Sequence, residues 1–329
     1  MIFKCQNCGG NILYNPEKNA MVCPHCDGID TEDKLLNSGD IKICANCGAP
    51  IEEVLKDHVS ALKCPNCGTY EIIEPRIEGE FKPDLVIPFK VSKDKAVAAM
   101  KKEFEKRVFT PLSFLSHATV TAMEGMYVPM FLYDYDAEGD YEGECTKVRS
   151  WSDAKYNYRE TSYYRVERRI KAKYDNVPVD ASIGMDDGYM DLMEPYNYVA
   201  LEEFDPKYMS GFFGEKYNES EEVFAPRAVE KVADSMCGIV RDTIIGYDHV
   251  PGQASVSATK QKTKFALFPV WQYVFRHNGE DYKIYVNGQT GKVVGKTPVD
   301  LKLVIAYSFT VFGLLSIVGE LVRLALSVI

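Results

Sequence analysis

Four Cys-x-x-Cys pairs near the N-terminus constrain the fold of this chain more than any other feature. Eight of the ten cysteines lie within the first 67 residues, as Cys5/Cys8, Cys23/Cys26, Cys44/Cys47 and Cys64/Cys67. Fourteen residues separate the first two pairs and sixteen separate the last two. Both spacings fit a zinc ribbon, in which two tight turns each present two thiolates to one tetrahedral ion. We therefore expect one ribbon over residues 1–40 and a second over residues 41–78.

Each predicted ribbon has four sulfur ligands and needs no other residue type. A four-thiolate site leaves no position for water, so the two expected Zn²⁺ ions are structural and not catalytic. Iron in a rubredoxin-type site would use the same ligands. A redox Cys-x-x-Cys would be single, and disulfides need an oxidising compartment, whereas the N-terminus has no basic region followed by an apolar run. We predict no ligand role for His25 or His58.

The predicted ribbons are acidic. Residues 1–80 contain seven Lys/Arg and thirteen Asp/Glu, a net charge of −6, within a chain whose formal net charge is −10. Eight thiolates around two Zn²⁺ ions would add about −4. A surface that binds nucleic acid needs clustered cations. The charge therefore favours a protein-docking role for these ribbons over a nucleic-acid role.

Residues 79–300 are predicted to form one α+β domain with a duplicated hairpin. The segments 85–91, 126–144 and 266–286 share apolar residues around a proline, and in the last two a polar turn containing glycine and a second strand are expected to follow. Helical periodicity is present at 93–107 and 222–244, the second helix starting near Pro226. Strands are predicted at 162–182 and 254–271, and a packed loop with a short helix between about 185 and 220.

Three patterns in this domain resemble functional motifs without meeting their requirements. Gly295-Lys296-Thr297 ends like a phosphate-binding loop, but position 290 is threonine and Pro298 replaces the required helix. The acidic row from Asp134 to Glu142 resembles a calcium loop, but the fifth and twelfth positions lack the residue types that such a loop requires. This favours a solvated hairpin. A basic stripe with interleaved aromatic residues could meet RNA or anionic lipid headgroups, or be a solvated strand face; it comprises Arg165, Arg168, Arg169, Lys171 and Lys173, with Tyr163, Tyr164 and Tyr174. We predict no catalytic residues and no cofactor-binding residues other than the metal ligands.

The C-terminal segment 301–329 is predicted to be a transmembrane helix. Residues 303–319 carry no charge and would span about 25 Å at 1.5 Å per residue. Lys292, Lys296 and Lys302 precede this run and Arg323 follows it, so the positive-inside tendency places the folded part in the cytoplasm. The expected location is the cell membrane, with a single C-terminal span. The alternative is an amphipathic or docking helix, because Glu320 and Arg323 are costly in lipid.

Several features together resemble those of one protein family. They are the ribbons, the apolar tail and the segments "VIPFKVSKDKAVAAM", "GMYVPMFLYD", "FPVWQYVF" and "YKIYVNGQTGKVVGKTPVD". This family is that of the bacterial TFIIB-type zinc-ribbon membrane proteins. Its members are often named as primosomal replication-restart helicases. The resemblance covers nearly the whole chain. It implies a ribbon protein that recruits cytoplasmic partners to the membrane in envelope stress, the partners being similar to phage-shock protein A or to SPFH proteins. This sequence departs from the family in having two ribbons and one short tail span.

The expected fold class is α+β, with two N-terminal four-cysteine zinc ribbons, a mixed domain with repeated antiparallel β-hairpins and a C-terminal transmembrane helix. The expected function is that of a non-enzymatic, membrane-tethered zinc-ribbon adaptor for cytoplasmic proteins. The alternative is a nucleic-acid-associated zinc-ribbon protein in transcription or replication. Binding to heparin or DNA that falls steeply with salt would favour this alternative.

Overall fold

The computed structural model describes residues 1–35, 41–116, 122–182 and 185–327 and shows a mixed α+β protein. The boundary predicted between the two ribbons, at residue 40, lies outside the described residues, as do the last two residues of the predicted tail. Three parts follow one another along the chain. They are two four-cysteine units, a large sheet with helices packed on it, and one apolar helix.

Short strands build the two four-cysteine units. In the first unit (residues 1–35), β1 (Ile2–Cys5) pairs antiparallel with β4 (Glu32–Leu35), and β2 (Leu13–Asn15) pairs with β3 (Ala20–Val22). In the second unit (residues 41–73), β5 (Val59–Lys63) pairs antiparallel with β6 (Tyr70–Ile72). The two units touch through backbone, since Met1 and Ile72 exchange hydrogen bonds.

One sheet contains ten of the strands in the described part of the chain, including β5 and β6. Its other strands are β7 (Leu85–Val86), β8 (Glu124–Ser152), β9 (Asn157–Asp180), β10 (Glu202–Glu203), β11 (Phe213–Glu215), β12 (Ser255–His277), β13 (Glu280–Asn287) and β14 (Val293–Gly295). Along the sheet the order is β10-β7-β12-β8-β11-β5-β6. β9 pairs with β8, β13 pairs with β12, and β14 pairs with β13. The second four-cysteine unit thus continues the sheet of the rest of the protein through the β5–β11 pair.

The centre of the sheet is nearly symmetric about one residue pair. Val128 of β8 lies opposite Phe268 of β12, and each residue directly precedes a proline. β11 runs parallel to β8 at Met126 and Tyr127, while β7 runs parallel to β12 at Ala266 and Leu267. β8 and β12 each continue into an antiparallel hairpin, with β9 and β13 respectively. The two segments predicted to be equivalent hairpins therefore lie side by side, related by an approximate twofold axis.

The turn predicted inside residues 126–144 is wrong. β8 continues through this segment as a single strand of 29 residues, paired with β12 on one side and β9 on the other. Gly139, within this segment, is a position of close approach between the strand and a helix. A Cβ at this position would lie 2.7 Å from Met236 Cγ and 2.9 Å from Val240 Cγ2. Glycine in a strand has this second role where another element approaches closely.

Among the described residues, three α-helices pack on the domain. α1 (Lys93–Phe104) lies near β13 and β14, α2 (Asp187–Met193) is the short helix predicted in the 185–220 region, and α3 (Glu221–Asp242) packs on β8, β9 and β12. α3 begins before Pro226, because that proline lies within the helix. Its buried stripe has a spacing of four residues, which is one face of a helix, and comprises Ala228, Val232, Met236 and Val240.

The last helix, α4 (Leu301–Ser327), differs from the others in its exposure. Its segment Leu301–Leu324 is long and apolar enough to cross a membrane, and none of it is buried against the rest of the described protein. Near its start, the Tyr307 ring packs edge-on against Phe109 at 5.4 Å between centroids, and the Asp300 N–H donates to the Phe109 carbonyl. These contacts attach the helix to the folded part near its first turns.

Candidate metal centres

The first four-cysteine unit brings Cys5, Cys8, Cys23 and Cys26 together. All four Sγ atoms lie within 4.8 Å of one another. The Sγ–Sγ distance is 3.6 Å between Cys5 and Cys26 and 3.5 Å between Cys8 and Cys23. The first cysteine of each pair is buried and the second is exposed. The site therefore lies at the protein surface, with one side covered by the unit's own core.

The second four-cysteine unit repeats this arrangement with Cys44, Cys47, Cys64 and Cys67. Its four Sγ atoms also lie within 4.8 Å of one another. The Sγ–Sγ distance is 3.8 Å for the Cys44–Cys67 pair and 3.8 Å for the Cys47–Cys64 pair. Burial again alternates between the first and second cysteine of each pair. The structure thus groups all eight predicted ligands into the two predicted sets of four.

The sulfur geometry fits a tetrahedral metal ion. With metal–sulfur bonds of about 2.3 Å, a regular tetrahedron separates its sulfurs by about 3.8 Å. The distances of 3.5–3.8 Å agree with this spacing. A disulfide would require about 2.05 Å, so these thiols are not arranged as disulfides. Two metal ions, one in each four-cysteine unit, are therefore plausible on geometry alone.

Each Cys-x-x-Cys pair is held by the same local turn. The N–H of the residue that follows the second cysteine donates to the carbonyl of the first, at 2.7–3.0 Å in the four turns. That residue has a positive φ of about 70° at Gly9, Gly48 and Gly68, and a φ of 55° at Asp27. Glycine adopts this left-handed conformation without strain, and aspartate tolerates it better than most residues. Asp27 therefore occupies the position that glycine holds in the other three turns.

A hydrogen bond favours the thiolate form of Cys5. The Thr31 hydroxyl lies 3.2 Å from Cys5 Sγ. Its hydrogen bond lowers the pKa of Cys5 to about 6, helped by backbone N–H groups of Asn7 and Cys8. In the second unit, side-chain amides of two asparagines donate to sulfur at 3.5 Å, Asn46 to Cys67 and Asn66 to Cys47.

Sequence reasoning missed these asparagines, although their positions carry a signal. Asn46 and Asn66 each lie between the two cysteines of a pair, where a side-chain donor can reach a sulfur of the opposite pair. The two histidines lie outside the sulfur groups. His25 packs beside Gly10, and the His58 carbonyl accepts from the Lys216 N–H at 2.8 Å.

The acidic row and the basic stripe of the central domain face one another across β8 and β9. Lys171 Nζ lies 3.1 Å from Glu138, and Arg169 Nε lies 2.6 Å from Asp140. Arg165 also pairs with Glu142. The acidic row is therefore part of a continuous strand and not a loop, and carboxylates neutralise part of the basic stripe.

Comparisons with known proteins give one informative relative. No family model matches the chain, and no solved structure matches it. A protein of Bacillus subtilis (strain 168), described as "Uncharacterized protein YdjG", is 32% identical over 320 residues, which is 94% of this chain and 94% of the relative. The aligned region takes in nearly the full length of both proteins. The chain therefore belongs to the same family as Bacillus subtilis YdjG.

Proposed function

We propose that this protein is a non-enzymatic, membrane-tethered adaptor of the TFIIB-type zinc-ribbon class, which recruits cytoplasmic protein partners. The observation that carries the proposal is the contrast between the two ends of the chain. Two compact four-cysteine units lie at the N-terminal end, and an apolar helix lies at the C-terminal end with none of Leu301–Leu324 buried against the described protein. An apolar helix whose side chains are left exposed needs another apolar environment.

Zinc is the proposed ion in both four-cysteine units. The eight cysteines would hold two Zn²⁺ ions, one for each group of four, and each ion would cross-link two turns of a unit too small for a sufficient core. Iron would take the same ligands, so elemental analysis of the purified protein distinguishes the two. With four sulfur ligands in each site, the role proposed for the metal is to hold the fold of a docking module.

The polar side chains of α4 are compatible with a membrane. Three hydroxyls donate to the carbonyl four residues earlier, at 2.8–2.9 Å; they belong to Ser308, Thr310 and Ser316. Hydrogen bonds made within the helix satisfy groups that find no partner in lipid. Glu320 and Arg323 pair at 3.7 Å on one helix face near its far end. We propose that α4 is a single span, with the folded part in the cytoplasm.

Membrane fractionation tests the tether. The full chain should stay in the membrane pellet after a high-pH carbonate wash. Introducing two charges in mid-helix, with Leu314→Lys and Leu315→Lys, should release it, because each buried charge costs about 2.5–3.5 kcal/mol at the centre of a span. Val299→Lys, at a position 63% exposed and before the helix, is the matched control and should stay in the pellet. Release of the unaltered chain by carbonate would rule out the span.

The proposed partners are cytoplasmic proteins similar to phage-shock protein A or to SPFH proteins. The acidic N-terminal units, with thirteen Asp/Glu and seven Lys/Arg over residues 1–80, provide a docking surface for a basic face. Vesicles that carry the full chain should retain such a partner from the same organism in a flotation assay. Vesicles that carry a variant with Cys8→Ser and Cys47→Ser should not. Equal retention by both would place the docking surface elsewhere.

A nucleic-acid-associated role is the second candidate, and one region of the structure favours it. The end of the β8–β9 hairpin stacks Trp151 on Tyr158 with centroids 5.5 Å apart, and Arg149 lies 5.5 Å from the Trp151 ring. Residues 147–159 carry a net charge of +3. Stacking platforms with adjacent cations bind single strands. Filter binding of a single-stranded oligonucleotide should then fall steeply with salt and be lost with Trp151→Ala; binding without salt dependence would argue against this role.

A further inference from the structure

The two predicted metal sites are joined by a short chain of hydrogen bonds. Asn46 lies between two ligands of the second site, and its Nδ2 donates to Cys67 Sγ at 3.5 Å. Its Oδ1 accepts from Lys4 Nζ at 2.6 Å. Lys4 directly precedes Cys5, a ligand of the first site. A single asparagine side chain therefore contacts a sulfur of one site and a residue adjacent to a sulfur of the other.

A second path through Thr69 closes the network. The buried Thr69 hydroxyl accepts from Asn46 Nδ2 at 3.1 Å and from Asn11 Nδ2 at 2.8 Å, and Asn11 Oδ1 accepts from Lys4 Nζ at 2.7 Å. These hydrogen bonds thus connect Lys4 and Asn11 of the first unit with Asn46 and Thr69 of the second. Cys67 Sγ also lies 3.4 Å from the Thr69 hydroxyl.

The charge of Lys4 gives this network a role in metal binding. Four thiolates around a divalent ion leave a net charge of about −2 at each site. Two such sites repel one another, and a cation fixed between them reduces that repulsion. The Lys4 ammonium is held there by two side-chain oxygens, at 2.6 and 2.7 Å. Metal bound at the first site would order Cys5 and with it Lys4, and Lys4 would hold Asn46 against the sulfur of the second site.

We propose that Asn46 and Lys4 couple the two sites, so that metal bound at either site strengthens metal binding at the other. This inference rests on the metal-binding part of the proposed function and is independent of the membrane tether. Coupling of this kind is reciprocal, because each site must change the affinity of the other by the same factor.

The second unit also provides a matched control. Asn66 Nδ2 donates to Cys47 Sγ at 3.5 Å, the same distance and the same kind of bond as that of Asn46. This bond of Asn66 lies within the second unit, so Asn66→Ala removes an amide–sulfur bond from that site and leaves the connection to Lys4 in place. Asn46→Ala removes both.

Cobalt titration of the full chain in detergent tests the coupling, because Co²⁺ bound to thiolates absorbs strongly and reports occupancy directly. The second site is measured with the first intact and with the first disabled by Cys8→Ser and Cys26→Ser. Disabling the first site should weaken Co²⁺ binding at the second by about tenfold. In the Asn46→Ala background, disabling the first site should weaken Co²⁺ binding at the second site by less than about twofold. In the Asn66→Ala background, the same loss of the first site should still weaken it by about tenfold.

Lys4→Met serves as a second variant that leaves all cysteines and asparagines unchanged, and it should uncouple the sites as Asn46→Ala does. Disabling the second site, with Cys47→Ser and Cys64→Ser, should weaken the first by the same factor. Equal losses in the unaltered and Asn46→Ala backgrounds would overturn the coupling, as would two sites in the unaltered chain that bind independently. If the unaltered chain binds no Co²⁺, the metal sites themselves are wrong and the coupling falls with them.

Discussion

Gly139 of β8 lies so close to Met236 of α3 that a Cβ at position 139 would be 2.7 Å from Met236 Cγ. The helix rests directly on the strand backbone at this point. A side chain here would force Met236 and Val240 out of their positions, and α3 also contacts β9 and β12. The pair therefore sets the distance between the helix and the sheet.

Gly139→Val should destabilise the protein by about 1–3 kcal/mol, the usual cost of overpacking a close contact. Gly238, within α3, is the matched control, since a Cβ there meets nothing within 4 Å. Gly238→Ala should raise the free energy of unfolding by about 0.5–1 kcal/mol, because alanine favours the helix. Urea unfolding followed by circular dichroism measures both. A Gly139→Val variant as stable as the parent would mean that α3 does not pack this closely.

Metal removal should loosen part of the central sheet as well as the four-cysteine units. β5 carries no metal ligand, but it directly precedes Cys64 and pairs with β11 through Ala61 and Gly214. Chelation should therefore raise amide hydrogen exchange in residues 59–63 and 213–215, and leave exchange around the Val128–Phe268 pair unchanged. Hydrogen exchange with mass spectrometry measures this. Unchanged exchange in 213–215 after complete metal loss would show that β11 is held without the second unit.

The turns of the metal sites should respond differently to substitution according to their backbone. At Gly48, φ is 71°, so Gly48→Ala introduces a strain of about 1–2 kcal/mol and should weaken Co²⁺ binding at the second site roughly tenfold. At Asp27, φ is 55°, so Asp27→Gly relieves strain and should leave binding at the first site unchanged or tighter. Direct Co²⁺ titration compares the two. Weakening by Asp27→Gly would assign the aspartate a role other than backbone conformation.

Asp180 should make stability depend on pH. It is buried, its Oδ1 accepts from Arg227 Nη1 at 2.7 Å, and its Oδ2 has no hydrogen-bond partner in the described part of the chain. Burial raises its pKa to about 6, although Arg227 opposes the shift. The pKa of Asp180 is higher in the folded state than in the unfolded state. The contribution of Asp180 to the free energy of unfolding is therefore fully present below about pH 4 and is lost as the pH rises through 6.

Asp180→Asn should remove this dependence. Arg227 would keep Asp187 and Asp191, at 3.2 and 2.8 Å, so it would not be left without a carboxylate. The free energy of unfolding of the variant, relative to that of the parent, should rise by on the order of 2 kcal/mol between pH 4 and pH 7. Urea midpoints at pH 4, 5, 6 and 7 measure the difference, in which the effects of acid on the metal sites cancel. A difference that does not change with pH would mean that Asp180 is ionised throughout.

Local rules in the sequence predicted the two groups of four cysteines and the apolar helix, whereas the features that these rules did not predict depend on long-range contacts. The spacing of the eight cysteines predicted which four meet, because two tight turns fix the sulfurs over short distances. The apolar run after Asp300 predicted α4 because helix length follows directly from composition. The segment 126–144 was wrongly expected to contain a turn, because the residue that requires a glycine at position 139, Met236, lies almost a hundred residues away. The β5–β11 pair left no pattern, since β11 has only three residues. Asn46 acts through Lys4 in another unit, which no local motif predicts.

β8 is also a mechanical element. It is one unbroken strand from Glu124 to Ser152, and at about 3.3 Å per residue it is a rod of roughly 90 Å along its path. One end bears the exposed Trp151, and the other pairs at Tyr127 with β11, which in turn pairs with β5 of the second four-cysteine unit. A force applied at Trp151 travels through covalent bonds and reaches the strand beside the metal-binding unit. Load on the far tip is therefore carried along one strand into the sheet that contains strands of the second four-cysteine unit.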